Sequence, residues 1–295
     1  MCGIVGYAGK ERCVEVLMEG LGHLEYRGYD SAGLALQKEN RIEQIREVGQ
    51  LENLTRALAG RNGDLSQVRT GVGHTRWATH GRPSEENAHP HLGGDGSVAV
   101  VHNGIIENFS ELKAELEGRG VSFRSETDTE VMAHLIAERV DAGETLRMAL
   151  AGVLQRLEGS FAVAAVSVDE PGKVVAARYQ SPLVVGLGEG ENFLASAVQA
   201  LLGETHEFIL VENGEIVEIA DSSVEVFTSS GESVERESFE VDWDAEAVEL
   251  GGYDDYMLKE IHEQPAALGA TLLGRIDTDG VVDLSEVGLD LSEVD

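Results

Sequence analysis

The sequence predicts an α+β fold in which antiparallel β-sheets are covered by helices. Short strand-like runs dominate the first 237 residues, and stretches with helical periodicity lie between them. Several of these runs follow one another across short turns such as Asn213-Gly214, which is typical of antiparallel pairing. Because the helices do not alternate strictly with the strands, a doubly wound parallel sheet is the less favoured architecture.

Ten segments are predicted to be strands, because they are rich in β-branched and apolar residues or alternate with period two. They are residues 4–7, 33–36, 71–77, 98–106, 161–168, 174–179, 183–187, 193–197, 208–212 and 215–219. Six segments carry apolar residues at i, i+3 and i+4 and are predicted to be helices. They are residues 11–21, 51–59, 109–119, 129–140, 145–157 and 253–273. Thr127-Asp-Thr-Glu130 has the spacing of a capping box, so we expect the fourth helix to start at Asp128.

The character of the sequence changes after residue 237. Beyond this point it is acidic and only loosely periodic until the last predicted helix, and residues 204–295 hold 26 acids but three bases. We therefore predict one domain over residues 1–237, followed over 238–295 by an acidic linker and the first helix of a further domain.

Acidic residues outnumber basic residues by a wide margin. The 295 residues include 54 Asp and Glu against 22 Lys and Arg, for a formal net charge of −32. A surface of this sign excludes unaided binding to nucleic acid and to anionic membranes. Only five of the basic residues are lysine. The acid excess and the low lysine content indicate either halophilic adaptation, in which ions screen the self-repulsion, or an acidic binding face.

The cysteine and hydropathy patterns predict a cytoplasmic protein. Two cysteines, Cys2 and Cys13, cannot form a disulfide framework, and Cys13 lies on an apolar helical face that we expect in the core. No apolar run approaches the roughly 20 residues that a membrane-spanning helix needs. The chain start lacks the basic and long apolar regions of a signal peptide. Both thiols are therefore expected to be reduced.

Cys2 is the first candidate for catalysis, because removal of Met1 would place a thiol and an α-amine on one residue. Such an amine has an unperturbed pKa of about 7.7–8.0 and can take the thiol proton without a histidine partner. Gly3-Ile-Val-Gly6 predicts a strand that would hold this terminus within a sheet. The alternative is a small apolar residue at a frayed chain start.

Asn103-Gly104 has two interpretations. The pair has the sequence of a two-residue hairpin turn, as Asn213-Gly214 does. Its flanks, however, are nearly all apolar, which would put it at the end of a buried strand. There the side-chain amide and the glycine N–H would form the pair of donors that a tetrahedral oxyanion needs.

Arg76 and Trp77 stand in a polar segment bounded by glycines, Gly73 to Gly81. Arginine binds carboxylates through two parallel hydrogen bonds, and a tryptophan in a loop can close over a ligand. The alternative is a surface loop whose arginine pairs with one of the many acids. Asp128, likewise, is either an acid favoured by a helix start or a group that holds a substrate ammonium.

Five of the nine histidines fall between residues 74 and 102, namely His74, His80, His89, His91 and His102. A zinc site would need three or four ligands at defined spacing, and neither CxxC nor HExxH is present, so no metal is expected. No glycine-rich phosphate loop opens a helix, so no nucleotide or other cofactor is expected either.

Six motifs stand in one order along the chain. They are Cys2-Gly-Ile-Val-Gly6, Arg27-Gly-Tyr-Asp-Ser-Ala-Gly33, His74-Thr-Arg-Trp-Ala-Thr-His-Gly81, Asn87-Ala-His-Pro-His91, Val101-His-Asn-Gly-Ile-Ile-Glu-Asn108 and Ser125-Glu-Thr-Asp-Thr-Glu130. Together they resemble the glutaminase domains of the glutamine–fructose-6-phosphate aminotransferase family, which are N-terminal-nucleophile amidotransferases. The resemblance covers about residues 2–275, including Ser181-Pro-Leu183 and Lys259-Glu-Ile-His-Glu-Gln-Pro265, which resembles the junction to the family's sugar-isomerase half.

The resemblance implies a four-layer αββα fold and hydrolysis of glutamine through a thioester on Cys2. It implies that Asn103 and Gly104 form the oxyanion hole. It also implies that Arg76 and Asp128 bind the α-carboxylate and α-ammonium of glutamine. Thr79 and His80 would line the pocket through backbone groups, and Trp77 would lie between the pocket and the ammonia route.

Two departures from the family limit these expectations. The chain reads Ala195-Ser-Ala197 where the family commonly has Ala-Ser-Asp, which puts a local polar contact in doubt. A sugar-isomerase domain is expected as a partner but is absent from these 295 residues, so the chain itself is expected only to hydrolyse glutamine; a homodimer is compatible with the sequence. The alternatives are another N-terminal-cysteine amidotransferase, a non-catalytic acidic interaction module, and a metal-dependent hydrolase built on the histidines.

Overall fold

The computed structural model describes residues 2–10, 12–61, 65–242, 253 and 256–272. The chain forms two compact units, Met1–Ala245 and Glu246–Asp295. Met1, Glu11, and the parts of the predicted linker and chain end at 243–252 and 273–295 lie outside the described residues.

Eight of the described strands form the first sheet of the larger unit. In chain order they are β1 (Gly3–Ala8), β2 (Ser31–Lys38), β3 (Arg41–Val48), β4 (Thr70–Arg76), β9 (Val184–Leu187), β10 (Asn192–Ala195), β11 (Glu207–Leu210) and β15 (Phe239–Glu240). Their order across the sheet is β15-β11-β9-β10-β1-β4-β2-β3, and every pair is antiparallel. The central strand β1 therefore pairs with β4 on one side and with β10 on the other.

Seven further strands form the second sheet. They are β5 (His91–Gly93), β6 (Val98–Ile106), β7 (Gly159–Ser167), β8 (Val174–Tyr179), β12 (Glu215–Ile219), β13 (Val224–Thr228) and β14 (Ser233–Val234). Their order is β14-β13-β12-β8-β7-β6-β5, again antiparallel throughout. The longest pairing joins β6 to β7, from Val98↔Ser167 to Ile106↔Gly159.

Helices cover the outer face of each sheet. The first sheet carries α1 (Cys13–Leu24) and α2 (Leu51–Ala59), and the second carries α3 (Phe109–Gly118), α4 (Thr129–Asp141) and α5 (Leu146–Leu154). Gly71 and Gly73 let α1 approach β4 closely, because a Cβ at Gly73 would lie 2.9 Å from Leu21. The layers thus follow the order helix, sheet, sheet, helix, which is the αββα sandwich that the resemblance implied.

Apolar side chains fill the spaces between the layers. Ile4, Val72, Val101 and Ala164 belong to the core between the two sheets, and Ile136 belongs to the core between the second sheet and its helices. Cys13 is buried on α1, as predicted, and burial raises the pKa of its thiol. Fully buried strands with long apolar runs are what two covered faces require.

All ten predicted strands and all six predicted helices are present, with shifts at their ends. The strands β3, β5, β13, β14 and β15 were not predicted. In β3 the two buried residues, Ile42 and Ile45, are three positions apart, so this half-buried edge strand lacks the alternation of a strand. The other four have two, three or five residues, too few for a clear period.

The predicted domain boundary after residue 237 stays a prediction, but strand pairing continues beyond it. Phe239 pairs with Phe208 across β15 and β11, so residues 239 and 240 belong to the first sheet. In the smaller unit the described helix is α6 (Tyr256–Leu272), which has Pro265 in its interior. No helix in the described part of the chain is both long enough and apolar enough to cross a membrane.

Candidate active site

The candidate residues meet where one end of the first sheet faces the second. Gly3 at the start of β1 pairs with Thr75 near the end of β4, and Ser31 at the start of β2 pairs with Arg76. Cys2 and Arg76 therefore emerge side by side. Strand β6 of the opposing sheet brings Asn103 to the same place, since its side-chain amide contacts the backbone of Cys2.

The Sγ atom of Cys2 lies against the backbone of Trp77. The N–H of Trp77 donates to Sγ at 3.2 Å, and Sγ lies 3.5 Å from the carbonyl oxygen of Trp77. Burial raises the pKa of the Cys2 thiol, whereas the Trp77 N–H and the charge of Arg76 act in the opposite direction. A thiol with these neighbours needs a nearby base to become a thiolate at neutral pH.

Asn103 and Gly104 lie within β6, so a hairpin turn at this pair is wrong. The Nδ2 of Asn103 donates to the carbonyl oxygen of Cys2 at 3.1 Å. Gly104 has a φ of +129°, and a Cβ at this position would lie 2.0 Å from the carbonyl oxygen of Ser160. No other residue type fits there, because the backbone of β7 is too close and φ is positive.

Asn213-Gly214, which has the same sequence, does form a turn. The N–H of Glu215 donates to the carbonyl of Glu212 at 3.2 Å across it, and Gly214 has a φ of +80°. The strands that it joins, β11 and β12, belong to different sheets, so this is a turn between sheets and not a hairpin.

Arg76 is buried, with only 4% of its surface exposed. Its NH2 group donates to the carbonyl oxygens of His80 and Gly81. Its NH1 group is buried without a hydrogen-bond partner among the described residues. Burial lowers the pKa of this guanidinium, and the negative charges of Cys2 and Asp128 oppose the shift. An unsatisfied donor on a buried cation is costly unless a ligand satisfies it.

Asp128 is held at the start of α4 with its carboxylate turned towards β6. Its Oδ2 accepts the backbone N–H of Ile106 at 2.8 Å. The predicted capping box is wrong, because α4 begins at Thr129 and the Thr127 hydroxyl bonds to Ser125 and His91 instead of to the N–H of Glu130. The carboxylate of Glu130 instead accepts the N–H groups of Arg124 and Ser125 at 2.9 and 2.7 Å.

Trp77, Thr79 and His80 have exposed side chains. The indole of Trp77 is 47% exposed and packs edge-on against the ring of Tyr29, with centroids 6.0 Å apart. His80 contacts Arg76 through its carbonyl, while its ring packs edge-on against Phe109. Thr79 is an exposed loop residue. The backbone of Trp77 is thus the part of this segment that contacts Cys2.

Of the five histidines between residues 74 and 102, four form a cluster that is buried behind the site, whereas His80 is exposed. His74, His89, His91 and His102 are fully buried neutral rings, and burial lowers the pKa of each, to about 3 for His74 and for His91. The His89 ring lies among the other three, with its centroid 4.3 Å from that of His74 and 4.8 Å, edge-on, from that of His91. Within the described ranges, no group of three or more His, Cys, Asp or Glu could hold a metal ion.

Two residues with positioning contacts were missed by the site prediction. Asp30 lies in a quoted motif but was given no role; its N–H donates to the carbonyl of Arg76 at 3.0 Å and its carboxylate accepts the N–H of Ala78 at 2.8 Å. His74 lies at the start of another motif and contacts Asn103. The sequence around Asp30 and His74 does not predict these contacts, because the contacts depend on how the strands are arranged in the fold.

Comparison with known proteins shows similarity to glutamine amidotransferases. A family profile described as "Glutamine amidotransferase domain" matches residues 74–203. Over its whole length the chain is 53% identical to glutamine–fructose-6-phosphate aminotransferase (isomerizing) of Symbiobacterium thermophilum and 51% identical to that of Streptomyces coelicolor. It covers 48% of each, so the chain spans about half the length of the curated relatives it matches.

Solved structures extend the likeness to the fold. The glutamine phosphoribosylpyrophosphate amidotransferase of B. subtilis, complexed with ADP and GMP, matches with a TM-score of 0.65 and 28% identity. A second structure, described as the allosteric regulatory enzyme of purine biosynthesis, matches with a TM-score of 0.66 and 29% identity. Each match covers 77% of this chain and 49% of the other.

In sequence and in fold, the chain is thus similar to glutamine amidotransferases, and along its whole length it is similar to about half of the glutamine–fructose-6-phosphate aminotransferases.

Proposed function

We propose that this chain hydrolyses glutamine to glutamate and ammonia, with the thiol of Cys2 as the nucleophile. The observation that carries the proposal is the surroundings of that residue. Trp77 donates its N–H to Sγ at 3.2 Å, and Asn103 brings its amide within 3.1 Å of the carbonyl oxygen of the same residue. A nucleophile and an oxyanion donor are thus adjacent on two facing sheets.

The charges around the thiol fit an amino-acid ligand. The unpartnered NH1 of Arg76 is assigned to the α-carboxylate of glutamine and the carboxylate of Asp128 to its α-ammonium. Thr79 and His80 are assigned to the rim of the pocket through their backbone groups. Trp77, whose indole is 47% exposed, is assigned to the boundary between the pocket and the path by which ammonia leaves.

In the first step Sγ attacks the side-chain amide carbon of glutamine. Removal of Met1 supplies the base, because the α-amine of Cys2 then accepts the thiol proton. The Nδ2 of Asn103 carries two hydrogens, of which the Cys2 carbonyl takes one; the other and the N–H of Gly104 bind the oxyanion. The intermediate collapses as the same proton passes to the departing nitrogen, which gives ammonia and a γ-glutamyl thioester.

In the second step water attacks the thioester carbon and the α-amine takes its proton. The tetrahedral intermediate forms in the same oxyanion hole, and its collapse releases glutamate and the Cys2 thiol. The chain's own residues account for each proton transfer, so no cofactor enters the scheme.

We further propose that the ammonia is used to aminate fructose 6-phosphate. This proposal is supported by identities of about half to relatives that carry that name and are about twice as long. The acceptor site then belongs to a sugar-isomerase domain or subunit. The alternative, an amidotransferase that serves another acceptor, is less favoured because the phosphoribosylpyrophosphate enzyme is only 28% identical.

The remaining expectations are also proposals. We assign the acid excess, a net charge of −32, to adaptation to a salt-rich cytoplasm. A cytoplasmic location is consistent with the two free cysteines, Cys2 and Cys13. Activity measured against salt concentration tests the first proposal. Sedimentation in molar salt distinguishes a monomer from the homodimer that we propose.

The decisive experiment combines intact mass with glutamine hydrolysis in molar salt, before and after an alkylating glutamine analogue. We expect loss of Met1, release of ammonia, and one adduct on Cys2 that abolishes the release. C13A is the matched control, because Cys13 is buried in the helix core and has no part in the scheme. It should hydrolyse glutamine and take up the adduct as the parent chain does. A chain that keeps Met1, or that releases no ammonia after processing, would instead support a non-catalytic module.

A further inference from the structure

We infer that His74 is a positioning residue for the proposed oxyanion hole, because it fixes which end of the Asn103 amide faces the reaction. The inference rests on the proposed glutaminase function. An asparagine amide presents an N–H donor on one side and a carbonyl acceptor on the other. Only the donor stabilises an oxyanion, so an amide turned by half a rotation would repel it.

The direction of the His74 hydrogen bonds follows from its first partner. The Nε2 atom of His74 lies 3.0 Å from the carbonyl oxygen of His102. A carbonyl oxygen only accepts, so Nε2 carries the proton. The same Nε2 lies 3.0 Å from the Oδ1 side of the Asn103 amide. The Nε2–H of His74 is thus shared between two oxygens, the His102 carbonyl and the Oδ1 of Asn103. With Oδ1 facing His74, the Nδ2 of Asn103 is turned towards Cys2.

The other ring nitrogen supports this tautomer. In the part of the chain that the structure describes, the Nδ1 of His74 is buried without a hydrogen-bond partner. An unsatisfied lone pair in an apolar interior costs less than a buried N–H that donates to nothing. Burial also keeps the ring neutral, since the pKa of His74 is lowered to about 3. The ring therefore holds one proton, on the nitrogen that faces Asn103.

Packing prevents the imidazole from exchanging its two nitrogens. His74 is wholly buried in the middle of β4, where it pairs with Ile4 of β1 and Gly33 of β2. Its ring packs against that of His89, with centroids 4.3 Å apart and an interplanar angle of 36°. A wholly buried ring that is packed against a neighbouring ring presents its N–H in one direction. It can thus orient Asn103, 29 residues along the chain and in the opposing sheet.

The test uses H74F, which keeps a ring but removes the N–H, and H74Q, which keeps an amide N–H donor. For H74F we expect kcat for glutamine to fall about tenfold to a hundredfold with KM nearly unchanged. Complete loss of one oxyanion donor lowers kcat by about a hundredfold to a thousandfold, so a misdirected donor should lower kcat by no more than that. H74Q should recover part of this loss. An aldehyde analogue that forms a tetrahedral adduct with Cys2 should bind more weakly to H74F by a similar factor, whereas glutamate should bind equally well.

A double-mutant cycle separates positioning from a general packing defect. If His74 acts through Asn103, H74F should have little further effect on kcat in an N103A background. H91F is the matched control, because His91 is buried in the same cluster but bonds to Thr127. The effects of H91F and N103A should be additive. Additive effects of H74F and N103A, or a wild-type kcat in H74F, would overturn the inference while leaving the glutaminase proposal intact.

A second measurement does not depend on activity or on the folding of a variant. Nitrogen-15 spectra of the histidine-labelled parent chain report the tautomer of each ring. We expect His74 to be neutral and protonated at Nε2. A ring protonated at Nδ1 would remove the donor to Asn103 and overturn the inference. If the parent chain released no ammonia and took up no adduct, the proposed function would fail, and the tautomer would still decide whether His74 orients the amide.

Discussion

Asp30 holds the peptide groups on both sides of Trp77. Its backbone N–H donates to the carbonyl of Arg76 at 3.0 Å, and its carboxylate accepts the N–H of Ala78 at 2.8 Å. The N–H of Trp77, between these two contacts, donates to the Sγ of Cys2 at 3.2 Å. Gly28 allows the chain before Asp30 to lie close to the backbone of Trp77, because a Cβ at Gly28 would lie 2.8 Å from the Trp77 nitrogen.

The first prediction concerns Asp30. In D30A the N–H of Ala78 loses its acceptor, so Trp77 should no longer be held against Cys2. We expect the alkylation rate of Cys2 to fall about tenfold, which corresponds to one hydrogen bond to a charged acceptor. D30N keeps an acceptor oxygen, so its alkylation rate should fall less than that of D30A. The measurement is the rate of adduct formation by intact mass; equal rates in D30A and the parent chain would contradict the role.

The second prediction concerns Arg76, whose NH1 is buried and has no hydrogen-bond partner within the described ranges. R76A should raise KM for glutamine about tenfold to a hundredfold, because a charge-assisted contact with the α-carboxylate is lost. The parent chain should discriminate strongly against glutamine α-amide, and R76A should lose that discrimination. R82A is the matched control, since Arg82 is exposed in the same loop. A parent chain that treats both compounds alike would refute the assignment.

Much of the fold could be predicted from local pattern. Strands such as β6 and β8 were predicted with the observed ends, because each begins with four consecutive buried apolar residues. Edge strands could not be predicted in this way. In β3 only Ile42 and Ile45 are buried, so the pattern that defines a strand is absent.

The candidate residues were predicted, but their relations were not. Cys2, Arg76 and Asn103 are separated by up to 101 residues, and only the resemblance grouped them. The direction of the Asn103 amide, the two contacts of Asp30 and the free NH1 of Arg76 depend on packing across two sheets. No local pattern carries that information, because the same residue types occur at turns and on surfaces. Asn213-Gly214 forms a turn, whereas the identical pair Asn103-Gly104 lies within strand β6.

The third prediction compares the glycines of the two Asn-Gly pairs, Gly104 and Gly214. Gly104 and Gly214 both have positive φ, +129° and +80°. A Cβ at Gly104 would lie 2.0 Å from the carbonyl oxygen of Ser160, whereas no atom of the described residues lies within 4 Å of a Cβ at Gly214. G214A should cost about 1–2 kcal/mol of unfolding free energy and leave kcat unchanged. G104A must also displace the β7 backbone, so it should cost more and lower kcat by about a hundredfold. Denaturant unfolding and glutamine kinetics measure the two effects; equal costs would contradict this account.

The fourth prediction concerns acid. His74, His89, His91 and His102 are neutral in the fold because burial lowers their pKa values, to about 3 for His74 and for His91. In the unfolded chain each takes up a proton near its ordinary pKa of about 6.5. The unfolded state thus binds more protons below that pH, so stability is fully present above about pH 6.5 and falls as the pH drops.

Each such histidine contributes a slope of up to about 1.4 kcal/mol per pH unit, and four acting together should give a steep loss between about pH 6 and pH 4. Glu130 adds to the loss of stability at lower pH. Burial would raise its pKa, but the His134 ring 3.6 Å away and hydrogen bonds from the Ser125 hydroxyl and from backbone N–H groups outweigh burial and lower the pKa to about 2. Denaturant unfolding at constant molar salt and several pH values measures the slope. H89F removes one of the four titrating rings and should reduce the slope by about a quarter. An unchanged slope in H89F would mean that acid acts elsewhere, on the surface carboxylates that give the chain its charge.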